Sequence, residues 1–360
     1  MKIAQIAPLY ETIPPKAYGG TERIVAYLTN ALVEQDHDVT LFASAEAVTE
    51  ATLVACRSQA LWLDQRPGSD MAAHINLLRQ VQARADEFDI LHFHLDLLHF
   101  PLFADHAERT VTTVHGRLDF TDLDPCYQHF SDFPIVSIAA HQQTPLPSGR
   151  WAGMVHHGLP LDLYRLTTCP RGDYLAFLGR VSPEKGLIDA IEIAQRSGLR
   201  LKIAAKINEQ DRTYFREEIV PRLDDPLVEF LGEIDDTAKQ ELLGHARALL
   251  FPIDWPEPFG LAMIEAMACG TPVIAYPNGS VPEVVDDGVT GLIVAGIDQA
   301  ATAVREISRL DRLEIRQQFE RRFSAAVMAN GYAQIYRALL RRNAPLKVAW
   351  PDEHDVAQCG

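Results

Sequence analysis

The sequence has little positive charge, few cysteines and no long apolar run, and each shortage argues against a class of protein. Its 33 Lys and Arg against 49 Asp and Glu give a net charge of −16, whereas nucleic-acid binding needs clustered cations. Five scattered cysteines without metal-site spacing are typical of a reducing compartment. No stretch approaches the ~18 apolar residues of a membrane span, and the N-terminal residues predict a strand instead of a signal peptide. We therefore expect a globular cytoplasmic protein without a nucleic-acid partner.

One basic stretch near the C-terminal end is an exception to this acidic character. It runs from Arg316 through Arg322 and continues at Arg341 and Arg342. Such residues on helices usually form a solvated face, which is our expectation here. A patch that contacts an anionic lipid surface is the alternative, and the overall charge makes membrane contact unfavourable.

Two series of short apolar runs alternate with helical patterns. The 360 residues exceed what one hydrophobic core usually serves. Strands that alternate with helices predict parallel sheets, so we expect an α/β fold of two Rossmann-like doubly wound domains that face a cleft, joined by His156–Pro170. The predicted strands are Lys2–Ala7, Asp38–Ala43, Ile90–Phe93, Thr110–Val114 and Ile135–Ile138, then Tyr174–Leu178, Leu201–Ala205, Val228–Leu231, Ala248–Pro252, Pro272–Ala275 and Leu292–Val294.

A pair of glycines follows the first predicted strand, in the segment Ala17-Tyr-Gly-Gly-Thr-Glu-Arg23. Gly19 and Gly20 allow backbone amides to approach a phosphate, and the helix that follows adds partial positive charge at its N-terminus. A turn and a helix capped by Thr21 is the simpler interpretation of this segment alone. The dinucleotide fingerprint GxGxxG is absent, which disfavours an NAD-dependent dehydrogenase.

Two cations follow the first strand of the second series. Arg180 and Lys185 belong to the segment Gly-Arg-Val-Ser-Pro-Glu-Lys-Gly. Ligands bind at the carboxyl ends of parallel strands, so both side chains should lie near the cleft. A guanidinium and an ammonium group together can neutralise a diphosphate without a metal ion. Ordinary surface charge is the alternative for each of them.

Two glutamates stand eight positions apart in Glu257-Pro-Phe-Gly-Leu-Ala-Met-Ile-Glu265. The first lies in a loop and the second in a helix that opens at about Gly260. Both carboxylates can accept hydrogen bonds from the hydroxyls of one ligand, and the first amides of the helix can bind phosphate oxygens. A capped helix with an incidental second glutamate is the alternative.

Taken together, these segments resemble the retaining GT-B glycosyltransferases of glycosyltransferase family 4. The resemblance also includes Gly279-Ser-Val-Pro-Glu-Val-Val-Asp-Asp-Gly-Val-Thr-Gly291, and residues 44–150 contribute little to it. It implies transfer of a hexose with retention from a nucleoside-diphosphate sugar, with a UDP-hexose favoured over a GDP-sugar. The implied acceptor carries a hydroxyl group and is a small molecule, a saccharide or a lipid. No cofactor or metal ion is implied.

The resemblance assigns roles to individual residues of the second domain. Arg180 and Lys185 would bind the donor diphosphate, Glu257 the hydroxyls of the transferred sugar and Glu265 the ribose. Backbone amides would contact the sugar and phosphates, and the loop after the third strand would lie along the nucleobase. The amides are those of Phe259, Gly260 and Leu261, and the loop residues are Gly232 and Glu233.

The first domain would complete the site from across the cleft. Gly19 and Gly20 would close on the β-phosphate, and His115 would contact the donor sugar. The expected acceptor-side residues are Thr21, Glu22, His94 and Asp96. The implied domains are 1–160 with a return helix at 331–345, then 161–330, then a tail at 346–360.

Other functions stay open at this point. The segment His92-Phe-His94-Leu-Asp96 has the spacing found in metal-dependent hydrolases, although Leu97 stands where such motifs continue with His. A satisfied core histidine is the better interpretation of His92. A nucleotide-sugar epimerase and a non-catalytic binder of sugar nucleotides could share the same architecture.

Overall fold

The computed structural model describes residues 1–16, 19–66 and 68–343. Ala17 and Tyr18 of the glycine segment, and the predicted tail at 346–360, lie outside them. The first part of the chain forms a parallel seven-stranded sheet in the order β3-β2-β1-β4-β5-β6-β7. Its strands are β1 (Lys2–Ile6), β2 (Asp38–Ser44), β3 (Thr52–Arg57), β4 (Ile90–Phe93), β5 (Thr110–Thr113), β6 (Ile135–Ser137) and β7 (Trp151–Met154).

The second part forms a parallel six-stranded sheet in the order β10-β9-β8-β11-β12-β13. Its strands are β8 (Tyr174–Arg180), β9 (Arg200–Lys206), β10 (Val228–Gly232), β11 (Leu249–Phe251), β12 (Val273–Ala275) and β13 (Gly291–Ile293). In both sheets the order reverses beside the first strand, between β1 and β4 and between β8 and β11. Such switch points leave a crevice at the carboxyl ends of the strands. The predicted fold of two Rossmann-like domains is confirmed.

Helices cover the sheets because each turns an apolar face inward. In the first helix, Ile24, Val25, Leu28 and Leu32 are buried and recur at helical spacing. The helices are α1 (Gly20–Glu34), α2 (Asp70–Ala83), α3 (Leu123–His129), α4 (Leu187–Ser197), α5 (Arg212–Tyr214), α6 (Asp236–His245), α7 (Leu261–Ala268), α8 (Val281–Val284), α9 (Ile297–Glu306), α10 (Arg312–Arg322) and α11 (Ala325–Asn343).

The last helix, α11, packs on the first domain although it follows the second in sequence. It contacts α1. Met328, Tyr332 and Leu339 join the core that covers one face of the first sheet. Tyr332 and Tyr336 also bond to polar groups of that sheet, since the Tyr332 hydroxyl lies 2.8 Å from Thr113 Oγ1 and the Tyr336 hydroxyl 2.7 Å from His92 Nδ1. The chain therefore crosses between the domains twice.

Arg316 fixes one of these crossings and is not part of a solvated face, contrary to the expectation for the basic stretch. Its side chain is buried in α10. The guanidinium donates to the carbonyl oxygens of Leu161, Tyr164 and Ala268, each at 2.7 Å. One charged donor thus binds carbonyls of both the linker and α7, which holds these two segments together. Arg341 and Arg342 are exposed.

Two further features differ from the sequence-based expectation. Helix α1 begins at Gly20 with Gly19 at its N-cap, so Thr21 lies inside the first turn and does not cap the helix. Strands β3 and β7 were not predicted, because each is a sheet-edge strand with incomplete burial and a weak apolar pattern. Within the described residues, no helix is long and apolar enough to cross a membrane.

Replacing Arg316 with Met should destabilise the protein by about 3 kcal/mol, because three carbonyls would lose their charged donor while the packing volume is nearly kept. Urea unfolding followed by circular dichroism measures this change. Arg321→Met is the matched control, since Arg321 is exposed on the same helix and pairs with the Glu314 side chain at the surface. Equal midpoints for the two variants would contradict the role given to Arg316.

Candidate active site

A cavity of about 320 Å³ lies between the carboxyl ends of the two sheets. Both switch points contribute to its walls, as the topology requires. From the first domain it is lined by Gly19, Gly20, Thr21, Arg23, His115, Gly116, Ile138 and His157. From the second it is lined by Leu178, Gly179, Arg180, Lys185, Ala204, Ala205, Lys206, Glu233, Ile234, Lys239, Phe251, Trp255, Glu257, Pro258, Phe259, Gly260, Leu261, Ala262 and Glu265.

The two predicted cations reach this cavity from the end of β8. Arg180 is the last residue of the strand, and Lys185 ends a short turn of 3-10 helix. Gly186 then has φ of 70°, and a Cβ there would lie 1.9 Å from the carbonyl oxygen of Pro252. Only glycine fits so close to another backbone, which fixes where Lys185 stands.

Each cation is paired with carboxylates of the same domain. Arg180 donates to Glu184, and its Nε lies 3.5 Å from Asp211 Oδ2. Lys185 donates to Glu257 Oε2. The predicted pair of cations and the predicted pair of glutamates therefore meet directly, across 72 positions of sequence.

Both predicted glutamates are buried, Glu257 in the loop before α7 and Glu265 within the helix. Glu257 is 8% exposed and accepts a second hydrogen bond, from Trp255 Nε1 at 2.7 Å. Glu265 is 4% exposed and contacts Lys239 Nζ at 3.0 Å and the Tyr164 hydroxyl at 3.2 Å. Between them, Gly260 has φ of 82° and is the N-cap of α7, and the first two amides of the helix precede its first backbone hydrogen bond, from Met263 N–H to the Gly260 carbonyl. Carboxylates and helix amides thus border one space.

A cluster of histidines stands on the side of the first domain, where His115 and His157 line the cavity. His115 Nε2 lies 2.8 Å from His94 Nδ1, and His94 Nε2 lies 2.8 Å from Gln5 Oε1. The His157 ring stacks on His115 at 5.3 Å between centroids. Desolvation lowers the pKa of His115 to about 3 and lowers the pKa of His94 and His157 well below the ordinary value, so all three rings are neutral.

One ion pair crosses from the first domain to the second beside Glu265. Arg23, in α1, donates to Asp236 Oδ2 at 2.7 Å at the start of α6. Asp236 also accepts from the Tyr164 hydroxyl at 2.9 Å. The buried guanidinium therefore brings positive charge from α1 to the part of the cavity that Glu265 occupies.

Two family models match the chain in succession. One, described as Glycosyltransferase Family 4, matches residues 18–161, and the other, described as Glycosyl transferases group 1, matches residues 170–324. The chain belongs to glycosyltransferase family 4. The enzyme is therefore a glycosyltransferase, and the resemblance seen in its motifs is confirmed.

Individual relatives support the same assignment for this glycosyltransferase. A phosphatidyl-myo-inositol mannosyltransferase of Mycobacterium leprae is 24% identical over 97% of the chain and 100% of that protein. The crystal structure of AviGT4, a glycosyltransferase involved in avilamycin A biosynthesis, superimposes with a TM-score of 0.72, 25% identity and coverage of 94% and 98% of the two chains. Sucrose-phosphate synthase from Thermosynechococcus elongatus has the same fold, with a TM-score of 0.75, 18% identity and coverage of 95% and 99%. These neighbours have the GT-B fold.

Four predicted site residues of the glycosyltransferase do not line the cavity. Gly232 lies at the end of β10, while its neighbour Glu233 does line the cavity. Glu22 is buried in α1, and His94 stands behind His115. Asp96 is exposed, with φ of 48°. The other predicted donor-side residues and Thr21 border the cavity together.

The histidine segment of the glycosyltransferase is not arranged as a metal site. His92 Nδ1 lies 2.7 Å from the Tyr336 hydroxyl and His92 Nε2 lies 2.7 Å from Thr113 Oγ1, so both ring nitrogens have partners. Within residues 1–16, 19–66 and 68–343, no three His, Cys, Asp or Glu side chains converge as metal ligands would. His92 is a satisfied core histidine, as expected.

Six polar or aromatic residues of the cavity were not among the predicted site residues. They come from elements that the motifs did not cover or from positions between motif residues. Trp255 lies two positions before Glu257, and the bulky aromatic residue beside a predicted site residue was the available signal. The other five are Arg23, His157, Lys206, Lys239 and Phe251.

The buried histidines should make the stability of the glycosyltransferase fall as the pH falls below about 6.5. Folding lowers the pKa of His99, mainly by desolvation, so the unfolded chain binds more protons there. The contribution of His99 to the free energy of unfolding is fully present above the pKa of the unfolded chain. As the pH falls towards the pKa of the folded state, that contribution is lost at up to about 1.4 kcal/mol per pH unit. His99→Phe should reduce the slope of unfolding free energy against pH by up to that amount.

Urea unfolding between about pH 7.5 and about pH 5.5 measures these slopes. Phenylalanine suits the site because the His99 ring stacks on the Phe93 ring, with 3.8 Å between the ring centroids. His129→Gln is the control, since the His129 side chain is exposed. A slope for His99→Phe equal to that of the wild type would refute the account.

Proposed function

We propose that the enzyme transfers a hexose from a nucleoside-diphosphate sugar to a hydroxyl acceptor with retention of anomeric configuration. The observation that carries this proposal is the convergence of Arg180, Lys185, Glu257 and Glu265 on one cavity. Two cations suit a diphosphate, and two buried carboxylates suit the hydroxyls of a sugar and a ribose. No cofactor is needed for such a transfer, and the donor itself is a substrate.

Stabilisation of the leaving group is the main electrostatic task in this reaction. The bond between the anomeric carbon and the diphosphate breaks, and negative charge grows on the diphosphate oxygens. Arg180 is paired with Glu184 and Asp211, and Lys185 is paired with Glu257. A diphosphate offers each cation more negative charge than any one of these carboxylates does. Each preorganised cation contributes about 2–4 kcal/mol to lowering the barrier, by analogy with single oxyanion donors.

Retention follows in this proposal from attack on the same face of the sugar that the diphosphate leaves. The acceptor oxygen forms the new bond to the anomeric carbon, and the departing phosphate oxygen takes the acceptor proton. The buried Glu257 has Lys185 and Trp255 as partners, which suits a role in holding hydroxyl groups better than a role as nucleophile. His115 is neutral and stands across the cavity, where it would contact the donor sugar.

The remaining parts of the substrates are assigned by position. The ribose would lie at Glu265, beside Lys239, and the base along Glu233 and Ile234. A UDP-hexose is the first choice of donor and a GDP-sugar the second. The acceptor would approach from the first domain, where Thr21 borders the cavity and Asp96 is exposed. A small molecule, a saccharide and a lipid are all compatible with this side, and we propose that the reaction takes place in the cytoplasm.

Replacing Lys185 with Ala should lower the rate of transfer at least about thirtyfold, since about 2 kcal/mol or more of leaving-group stabilisation would be lost. The assay follows release of the nucleoside diphosphate from UDP-glucose and GDP-mannose with a panel of hydroxyl acceptors, and NMR of the product reports the anomeric configuration. Lys202→Ala is the control, because Lys202 lies on β9 outside the cavity and pairs with Glu229.

If Lys185→Ala turned over within about twofold of the wild type, the proposed role of Lys185 in binding the donor diphosphate would be wrong. An inverted product would refute the same-face route while leaving the transferase assignment intact. Incubation with the donor alone separates the epimerase alternative, because an epimerase would change the sugar without any acceptor.

A further inference from the structure

Trp255 contacts both of the groups that the proposed function makes central. Its indole Nε1 donates to Glu257 Oε2 at 2.7 Å. Lys185 Nζ lies 4.8 Å from the centroid of its ring and donates to the same carboxylate oxygen. The half-buried side chain lines the cavity. One aromatic residue thus touches the predicted sugar-binding carboxylate and the predicted phosphate-binding amine.

We propose that Trp255 is a positioning residue that orients the Glu257 carboxylate towards the hydroxyls of the transferred sugar. This proposal rests on the proposed function. The indole N–H is a donor only, so it fixes Oε2 of Glu257 and leaves Oε1 for a sugar hydroxyl. When Lys185 turns to the diphosphate, Trp255 stays on Oε2 and keeps the carboxylate in place.

The backbone of Glu257 is held by other contacts. Its N–H donates to the carbonyl of Trp255 at 2.8 Å, and its own carbonyl accepts from the N–H of Ser280 at 3.0 Å. A Cβ at Gly279 would lie 2.3 Å from the Glu257 nitrogen, so a glycine packs directly against this backbone. The loop therefore keeps its path without the indole N–H, and what the N–H sets is the direction of the carboxylate.

The ring of Trp255 has a second role that a suitable variant preserves. Besides Lys185, it lies 5.7 Å from the Arg117 guanidinium of the first domain. A phenyl ring keeps an aromatic face for both cations, although it attracts them less strongly than an indole. Trp255→Phe therefore removes the hydrogen bond to Glu257 while it keeps an aromatic ring beside both cations.

The test compares the binding of UDP-glucose with that of UDP by calorimetry. Trp255→Phe should weaken UDP-glucose binding and lower kcat/KM roughly tenfold, as expected for loss of a hydrogen bond to a charged group, and should leave UDP binding unchanged. Trp151→Phe is the matched control, because Trp151 Nε1 also donates one hydrogen bond, to the Leu146 carbonyl at 3.2 Å, but outside the cavity. It should change neither affinity.

A double variant separates positioning from packing. If Trp255 acts through Glu257, then Trp255→Phe added to Glu257→Gln should cause little further loss, because residues that act as one unit are not additive. Effects that multiply would overturn the proposal, as would equal weakening of UDP and UDP-glucose or an unchanged affinity for both.

The comparison also distinguishes this proposal from the proposed function. Wild-type protein that binds UDP-glucose more tightly than UDP but transfers no sugar to any acceptor would overturn the transfer alone. The ratio of the two affinities in Trp255→Phe would still decide the role of Trp255. Wild-type protein that gains no affinity from the glucose moiety would overturn the positioning role.

Discussion

The ion pair between Lys185 and Glu257 is the interaction on which the site depends, because it joins the loops that follow two neighbouring strands. Lys185 follows β8 and Glu257 follows β11, and the strand order reverses between these strands. A reversal leaves the two loops diverging from a common crevice, so their side chains can meet above it. The first sheet has its reversal between β1 and β4 and supplies Gly19, Gly20 and the cluster of histidines. The fold thus places opposite charges in one cavity before any substrate enters.

Charge balance within the cavity explains how an acidic protein can hold an anionic substrate. The chain carries a net charge of −16, yet the cavity concentrates Arg23, Arg180, Lys185 and Lys239 beside two buried glutamates. Each buried carboxylate has a cationic partner, which offsets the cost of removing it from water. The histidines stay neutral and add no charge to the wall. The positive charge that the proposed diphosphate would need is therefore local and does not follow from the charge of the whole surface.

The sequence predicted the sheets and the motif residues well because both have local signals. Buried parallel strands appear as short apolar runs, and Lys185, Glu257 and Glu265 belong to compact motifs at strand ends. The weaker points depend on contacts between distant segments. Arg316 was expected on a solvated face, but three carbonyls from the linker and α7 surround it. The role of Trp255 could not be predicted because it depends on contact with Lys185, which lies 70 positions earlier in the sequence and reaches the ring of Trp255. The prediction of Thr21 as N-cap was wrong because the N-cap is Gly19, two residues earlier, in an extended conformation.

A crystal structure of the enzyme with UDP-glucose tests the central claim most directly. The account predicts the diphosphate between Arg180 and Lys185, with Lys185 turned away from Glu257. The glucose hydroxyls should lie on Glu257 and the ribose hydroxyls on Glu265, while Trp255 still donates to Glu257. A nucleotide bound outside this cavity, or a diphosphate held elsewhere while the ion pair between Lys185 and Glu257 persists, would contradict it.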